Sequence, residues 1–459
     1  MGFTSKVIVS VIVIGLLGFF IQSLFNQNKV VPQLDEVWWG PNENKEIVDK
    51  NIRPFSVNIS DTDLKDLQYR LAHHRPLTPS LEGIQQQYGF NSKLLQEIIH
   101  FWRHQYNWRK CEKLLNKYPQ FITNIQGLDI HFIRVKPEES KGVKVLPLLL
   151  LHGWPESVKN LLSLIDILTK PRNGIVFEVV APHLPGFGFS QAAVRPGLGG
   201  PQMAVVLKNL MLKLGFNKFY GQGGDFGAYI LKSMSVLYPE VLAGLHSNMC
   251  TVYTPKSYLY TFLGLLYPQW IVKKEHEDRV YPLKKLFEER MIETGYFHLQ
   301  STKPDSLGFG LNDSPVGLAA YILEKYSTLT NFTNKSLING GLKDCYSYED
   351  LLDNIMIYWW TGSITTSMRI YAETFNKINF KLGIVSFPTK IPSACARFKY
   401  DIYAPDGLLG EVFPNLVQLT DYDGGHFASF QMPDVLAKDV FMAVEKFEEI
   451  FRRNSIKTV

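Results

Sequence analysis

Residues 220–229 constrain this chain more tightly than any other stretch: Tyr220-Gly221-Gln222-Gly223-Gly224-Asp225-Phe226-Gly227-Ala228-Tyr229. Upstream, residues 216–220 read as a short buried strand. Downstream, residues 229–238 carry Ile230, Leu231, Met234 and Leu237 at helical spacing. A strand that runs directly into a helix places one residue on a sharp turn, with little room beside it. The small residues Gly223, Gly227 and Ala228 relieve that crowding. The apex is Asp225, where turns of this kind more often carry serine. The change of atom changes the chemistry. A carboxylate with an ordinary pKa of about 3.9 is ionised at neutral pH, so it can attack carbon without a base and leave an alkyl ester on the protein. A glycine-rich loop bearing a solvated aspartate is the alternative reading of the same ten residues.

The 459 residues are 46% hydrophobic and 20% charged, an ordinary globular balance with ample core. Net charge is +5, but Lys and Arg are scattered among acids with no basic tract, which argues against nucleic acid as a partner. Cys111, Cys250, Cys345 and Cys395 are far apart and form no metal-ligand spacing, so they read as reduced core thiols rather than a disulfide framework. His73, His74, His100 and His104 lack the glutamate that would complete a zinc motif and read as surface residues. No metal or cofactor is expected.

Residues 7–25 are almost wholly apolar. As a helix they would span about 28 Å, against a hydrocarbon core of about 30 Å. No small-residue cleavage site follows, so they are expected to form an uncleaved membrane anchor contacting lipid. A polar connector with Trp38 and Trp39 comes next. A capping box at Ser60-Asp61-Thr62-Asp63 opens one helix, and residues 92–118 are expected to form a second. From Ile130 onward, strands at 130–135, 145–151, 175–181 and 241–245 alternate with helices at 161–168 and 202–214. That rhythm predicts an α/β fold with a mostly parallel sheet flanked by helices, its site beyond the carboxyl ends of the strands. The rhythm breaks for about 130 residues after β-type residues 241–245, as an inserted lid would make it. It resumes with strands at 391–398 and 415–420 and a final helix at 435–451.

An ester on Asp225 must be broken by water, and water needs a base near neutral pH. His426, on the turn Asp423-Gly424-Gly425-His426-Phe427 after the last strand, is the candidate. The order nucleophile, acid, histidine points to Asp401, just after the preceding strand, as the acid that orients it; Asp406 and Glu411 lie further on, into the expected following helix, and are weaker candidates. The tetrahedral oxyanion could be received by the backbone N–H groups of Trp154 and Phe226, with His152 structural.

Together these residues resemble the microsomal epoxide hydrolases, and among them the insect juvenile hormone branch. The matching stretches are the apolar N terminus, Trp38-Trp39-Gly40, His152-Gly153-Trp154-Pro155, Gly223-Gly224-Asp225-Phe226-Gly227, residues 312–321 (Asn312-Asp313-Ser314-Pro315 onward) and Gly424-Gly425-His426-Phe427. Two positions depart from that pattern: Phe226 stands where the family usually has Trp, and Asp401 where many members have Glu. The resemblance implies an α/β-hydrolase fold divided into an anchor (1–28), an N-terminal extension wrapping the core (29–125), the hydrolase core (126–250 and 376–459) and a lid (251–375). It also implies two lid tyrosines, Tyr296 and Tyr371, that donate protons to the epoxide oxygen. The implied reaction adds water to a small lipophilic epoxide to give a vicinal diol, at the endoplasmic reticulum membrane with the catalytic part cytosolic. A dehalogenase would share the Asp and His logic but would want Trp or Asn halide donors in place of phenols. A membrane-anchored carrier of hydrophobic ligands would need neither Asp225 nor His426.

Overall fold

The computed structural model describes residues 30–46, 48–138 and 141–457. The expected anchor at 7–25 lies outside them, and among the described residues no helix is long and apolar enough to cross a membrane. Among the described residues nine strands form one sheet: β1 (Arg53–Phe55), β2 (Gln120–Ile125), β3 (Leu128–Val135), β4 (Lys144–Leu151), β5 (Ile175–Pro182), β6 (Phe219–Gly223), β7 (Leu242–Ser247), β8 (Ser393–Phe398) and β9 (Leu416–Tyr422). Their order in the sheet is β1-β2-β3-β5-β4-β6-β7-β8-β9. The pairs from β1 to β5 along that order are antiparallel, and every pair from β5 to β9 is parallel.

The parallel half behaves as its apolar runs require. Leu148, Leu149, Leu150 and Leu151 of β4 are all buried, as expected of a strand covered on both faces. The helix Pro433–Lys457 packs on β7, β8 and β9, and the helix Gly200–Lys213 packs on Asp225–Leu237.

The antiparallel half carries a weaker apolar signal. Strand β2 buries Gln120, Thr123 and Asn124, so it lacks an apolar alternation. Its buried polar groups are satisfied instead: Gln120 donates to the Leu115 carbonyl at 3.0 Å and Asn124 to Asp129 at 3.0 Å. Residues assigned to an extension that wraps the core therefore supply two strands of the sheet itself.

Two expectations differ from the structure. Residues 92–118 do not form one helix but two, Ser92–His104 and Trp108–Leu115. The Asn107 side chain accepts from the Arg109 N–H at 3.0 Å and restarts the helix. That break lets both Trp102 and Trp108 enter the core. The cysteines are not all reduced thiols either: Cys250 and Cys395 form a disulfide, with Cα atoms 6.1 Å apart. Cys250 lies three residues beyond β7, which pairs with β8 at Ser247 and Cys395. Neighbouring parallel strands thus juxtapose two residues separated by 145 positions, a proximity that spacing along the chain does not reveal.

Between β7 and β8 the chain inserts a set of helices at the position expected for a lid. Its helix Ile364–Thr374 packs on Gly295–Thr302 and Pro304–Asp313, and Pro315–Thr328 packs on Tyr348–Thr361. Polar contacts fasten it to the loop after β4: Asn354 donates to the Pro155 carbonyl and the Tyr358 hydroxyl to the Glu156 carbonyl, each at 2.7 Å. These bonds satisfy two buried carbonyls, so the lid and that loop hold each other in place.

Candidate active site

The turn between β6 and the helix Asp225–Leu237 is as cramped as its glycines suggest. A Cβ on Gly227 would lie 2.5 Å from the Leu151 carbonyl oxygen, and one on Gly153 would lie 2.3 Å from the Asp225 Cβ. Asp225 itself has φ +44°, a left-handed conformation that a non-glycine residue adopts at some cost. The strand begins and ends three residues later than its apolar run suggested, and the helix starts at Asp225 rather than Tyr229. Both shifts leave Asp225 at the apex.

Three acids, one histidine and three backbone amides then converge. The Trp154 N–H donates to Asp225 Oδ1 at 2.8 Å. On the other oxygen, His426 Nε2 stands 3.4 Å from Asp225 Oδ2. His426 Nδ1 bonds Asp401 Oδ1 at 2.7 Å, and the same oxygen accepts from the Ile402 N–H at 2.7 Å. The imidazole is thus held at both nitrogens, with its side chain only 8% exposed. Burial acts against its charge, but Asp401 and Asp225 outweigh it and hold the pKa well above the ordinary histidine value. Asp406 and Glu411 are engaged elsewhere: Asp406 pairs with Arg397 and, at 3.2 Å, with Lys273, while Glu411 pairs with Lys256 at 2.6 Å. Of the three candidate acids, Asp401 is the one at the histidine.

The third acid was not singled out from the sequence. Glu156 is buried, accepts from the Gly153 N–H at 3.1 Å and from the Ser429 hydroxyl at 3.3 Å. It ties the loop bearing the Trp154 amide to the helical turn that follows His426. Burial first, and then Asp225, push its pKa up, with His426 opposing, to about 7. Its place directly after His152-Gly153-Trp154-Pro155 was the available signal. His152 is buried, its Nε2 accepts from the Leu184 N–H at 3.2 Å, and burial lowers its pKa to about 4.

The lid brings both named tyrosines to the same place. The Trp154 ring stacks on Tyr296 with centroids 5.8 Å apart and meets Tyr371 edge-on at 5.7 Å. The two phenol rings are 6.2 Å apart, and Phe226 packs on Tyr371 at 4.7 Å. Burial is the main reason both phenols are held above their ordinary pKa, with Asp225 adding to it. They therefore stay protonated and available as donors. His73, His100 and His104 are exposed and His74 is half-buried, and among the described residues no group of His, Cys, Asp and Glu is arranged to hold a metal.

Residues 52–161 match the family described as "Epoxide hydrolase N terminus" and residues 147–265 match "alpha/beta hydrolase fold". Juvenile hormone epoxide hydrolase 2 of Ctenocephalides felis is 49% identical, over 90% of this chain and 89% of its own length. Epoxide hydrolase 1 of Sus scrofa is 42% identical, over 94% of this chain and 97% of its own. The crystal structure of juvenile hormone epoxide hydrolase from the silkworm Bombyx mori superposes with a TM-score of 0.89 at 45% identity, over 91% of this chain and 100% of that one. With this similarity running through both the core and the lid, the chain belongs to the epoxide hydrolases, in the branch shared by the microsomal and juvenile hormone enzymes.

Proposed function

We propose that this enzyme opens a lipophilic epoxide in two steps, with Asp225 as nucleophile and His426 as the base for the second. The observation that carries the reading is the division of labour at Asp225: Oδ1 accepts the Trp154 N–H while Oδ2 faces His426. Oδ2 attacks an epoxide carbon, and the ring C–O bond breaks toward oxygen. Tyr296 and Tyr371 donate to that oxygen, replacing a poor alkoxide by a hydroxyl. Asp225 is now a neutral ester, so the imidazolium has lost one of its two anionic partners. Its pKa falls, the proton leaves, and the neutral ring can take a proton from water. Water adds to the ester carbonyl, whose oxygen is received by the Trp154 and Phe226 amides. Asp401 keeps the ring oriented and balances its charge. The diol departs and the carboxylate is restored.

The aromatic surroundings, Trp154, Phe226, Phe297 and Phe375 beside the two phenols, favour an apolar substrate. Juvenile hormone or a similar lipophilic epoxide fits that surface and the names of the relatives. Phenols in the place of halide donors favour ring opening over dehalogenation. We further assign residues 1–28 to an anchor in the endoplasmic reticulum membrane, with the catalytic part cytosolic, on the strength of the apolar run at 7–25.

The test separates the two steps. His426→Gln given epoxide is expected to gain the substrate's mass on the peptide containing Asp225 and to turn over very slowly, while Asp225→Ala gains nothing. Direct attack by a water activated at His426 would leave no adduct in either protein. A folded His426→Gln enzyme that binds epoxide yet neither carries the adduct nor forms diol at its first turnover would refute the covalent route.

A further inference from the structure

One buried cation lies against this site with no part in the chemistry above. Lys325, on the helix Pro315–Thr328, has a side chain only 8% exposed. It pairs with its neighbour Glu324, whose carboxylate also accepts from the Thr328 hydroxyl at 3.0 Å. Its ammonium nitrogen stands 4.1 Å from the centroid of the Tyr296 ring. Lysine is rarely this deeply buried, and a pairing with the adjacent residue could form as well at the surface. The ring contact is what the buried position provides.

The surroundings of Tyr296 otherwise resist a negative charge on its oxygen. Burial, the Asp225 and Glu324 carboxylates and Tyr321 all disfavour the phenolate, and a hydrogen bond with Tyr371 opposes them. A cation over an aromatic face is attracted even to a neutral ring, and far more to an anionic one in a water-poor site. A fixed charge placed where charge develops needs no reorganisation at the moment of reaction.

We propose that Lys325 is a positioning residue whose ammonium, lodged against the Tyr296 ring, stabilises the phenolate that this tyrosine becomes as the epoxide opens. The inference rests on the reading of Tyr296 as a proton donor. The charges balance. Asp225 Oδ2 forms the new C–O bond, the epoxide C–O pair goes to oxygen, and the Tyr296 proton follows it. One negative charge has then moved from the carboxylate to the phenolate beside Lys325. The proton that the imidazolium gives up after alkylation restores the phenol, and the one released when the ester is hydrolysed to carboxylate and diol restores the imidazolium.

The experiment is a double-mutant cycle in single turnover, with a simple aryl epoxide as probe and the Asp225 adduct followed by rapid quench and mass spectrometry. Lys325→Met is expected to slow adduct formation about tenfold or more with ester hydrolysis nearly unchanged. Lys325→Arg retains most of the rate. In a Tyr296→Phe background, Lys325→Met has no further effect. A packing role would slow both steps alike, or slow adduct formation equally with and without Tyr296, and either result overturns the proposal. If Tyr296→Phe slows adduct formation and Lys325→Met does not, the lysine inference alone fails. If Tyr296→Phe leaves it unchanged, the donor reading fails first. Lys325→Gln serves in the same cycle should the methionine variant not fold.

Discussion

Glu156→Gln tests whether the carboxyl beneath the catalytic pair folds in its neutral form. Glu156 is 6% exposed and its oxygens accept from the Gly153 amide and the Ser429 hydroxyl. Those two bonds do not offset its burial beside Asp225, so its pKa rises from an ordinary 4.5 to about 7. The folded protein therefore holds this proton to higher pH than the unfolded chain does. Stability falls as pH rises through that window, and it is level below and above it. Moving a carboxyl from 4.5 to about 7 corresponds to a loss of about 3 kcal/mol between pH 4.5 and 8. Glutamine keeps an acceptor for the Gly153 amide and has no proton to lose. At pH 5 the two proteins are expected to agree to within about 1 kcal/mol, the net worth of a rearranged hydrogen bond. Between pH 5 and pH 8 the wild type should lose about 2.5 kcal/mol relative to the variant. Urea unfolding followed by tryptophan fluorescence, for both proteins at both pH values and constant ionic strength, measures that difference. His426 and the other titrating groups are common to the pair and largely cancel. A difference near zero, or a wild type that gains on the variant at pH 8, would refute the claim that burial controls this carboxyl.

Asp401→Asn is expected to slow ester hydrolysis about a hundredfold or more and to leave adduct formation less affected. It should also lower the His426 pKa, since Asp401 is the first of the groups that hold the imidazolium charge against burial. The acid limb of the hydrolysis rate should therefore move to lower pH. Glu411→Gln, which breaks a pair with Lys256 instead, should show neither effect; the reverse outcome would reassign the acid. A chain beginning at Lys29 should need less detergent for extraction and retain most activity. Loss of all activity in that chain, once shown to be folded, would contradict the assignment of residues 1–28 to anchoring alone.

Local rules made much of this protein legible before its structure. The strand, glycine and helix signals around Asp225 named the apex residue, because steric crowding at such a turn depends on neighbours in sequence. A Cβ at position 227 would meet the Leu151 carbonyl, and only small residues meet that demand. Apolar runs located β4 and β5 because a strand covered on both faces fills most of its positions with apolar side chains. Chain order placed His426 after the last strand, as the site of a parallel sheet requires. Recognition of the family supplied Tyr296 and Tyr371, which residue type alone could not select from twenty-two tyrosines.

What local pattern could not carry was decided by contacts between distant segments. Strand β2 was hidden because its buried residues are polar, and their partners come from elsewhere in the fold. The Cys250–Cys395 bond exists because β7 and β8 are neighbours in the sheet although far apart in the chain. Asp401, Asp406 and Glu411 are chemically alike and close in sequence. Only the fold sends Asp401 to His426 and gives the other two to Arg397, Lys273 and Lys256. Glu156 and Lys325 are unremarkable letters until burial removes water from around them. A sequence lists charges, but their effect depends on distance and on the solvent between them, and those are set by how distant segments pack together.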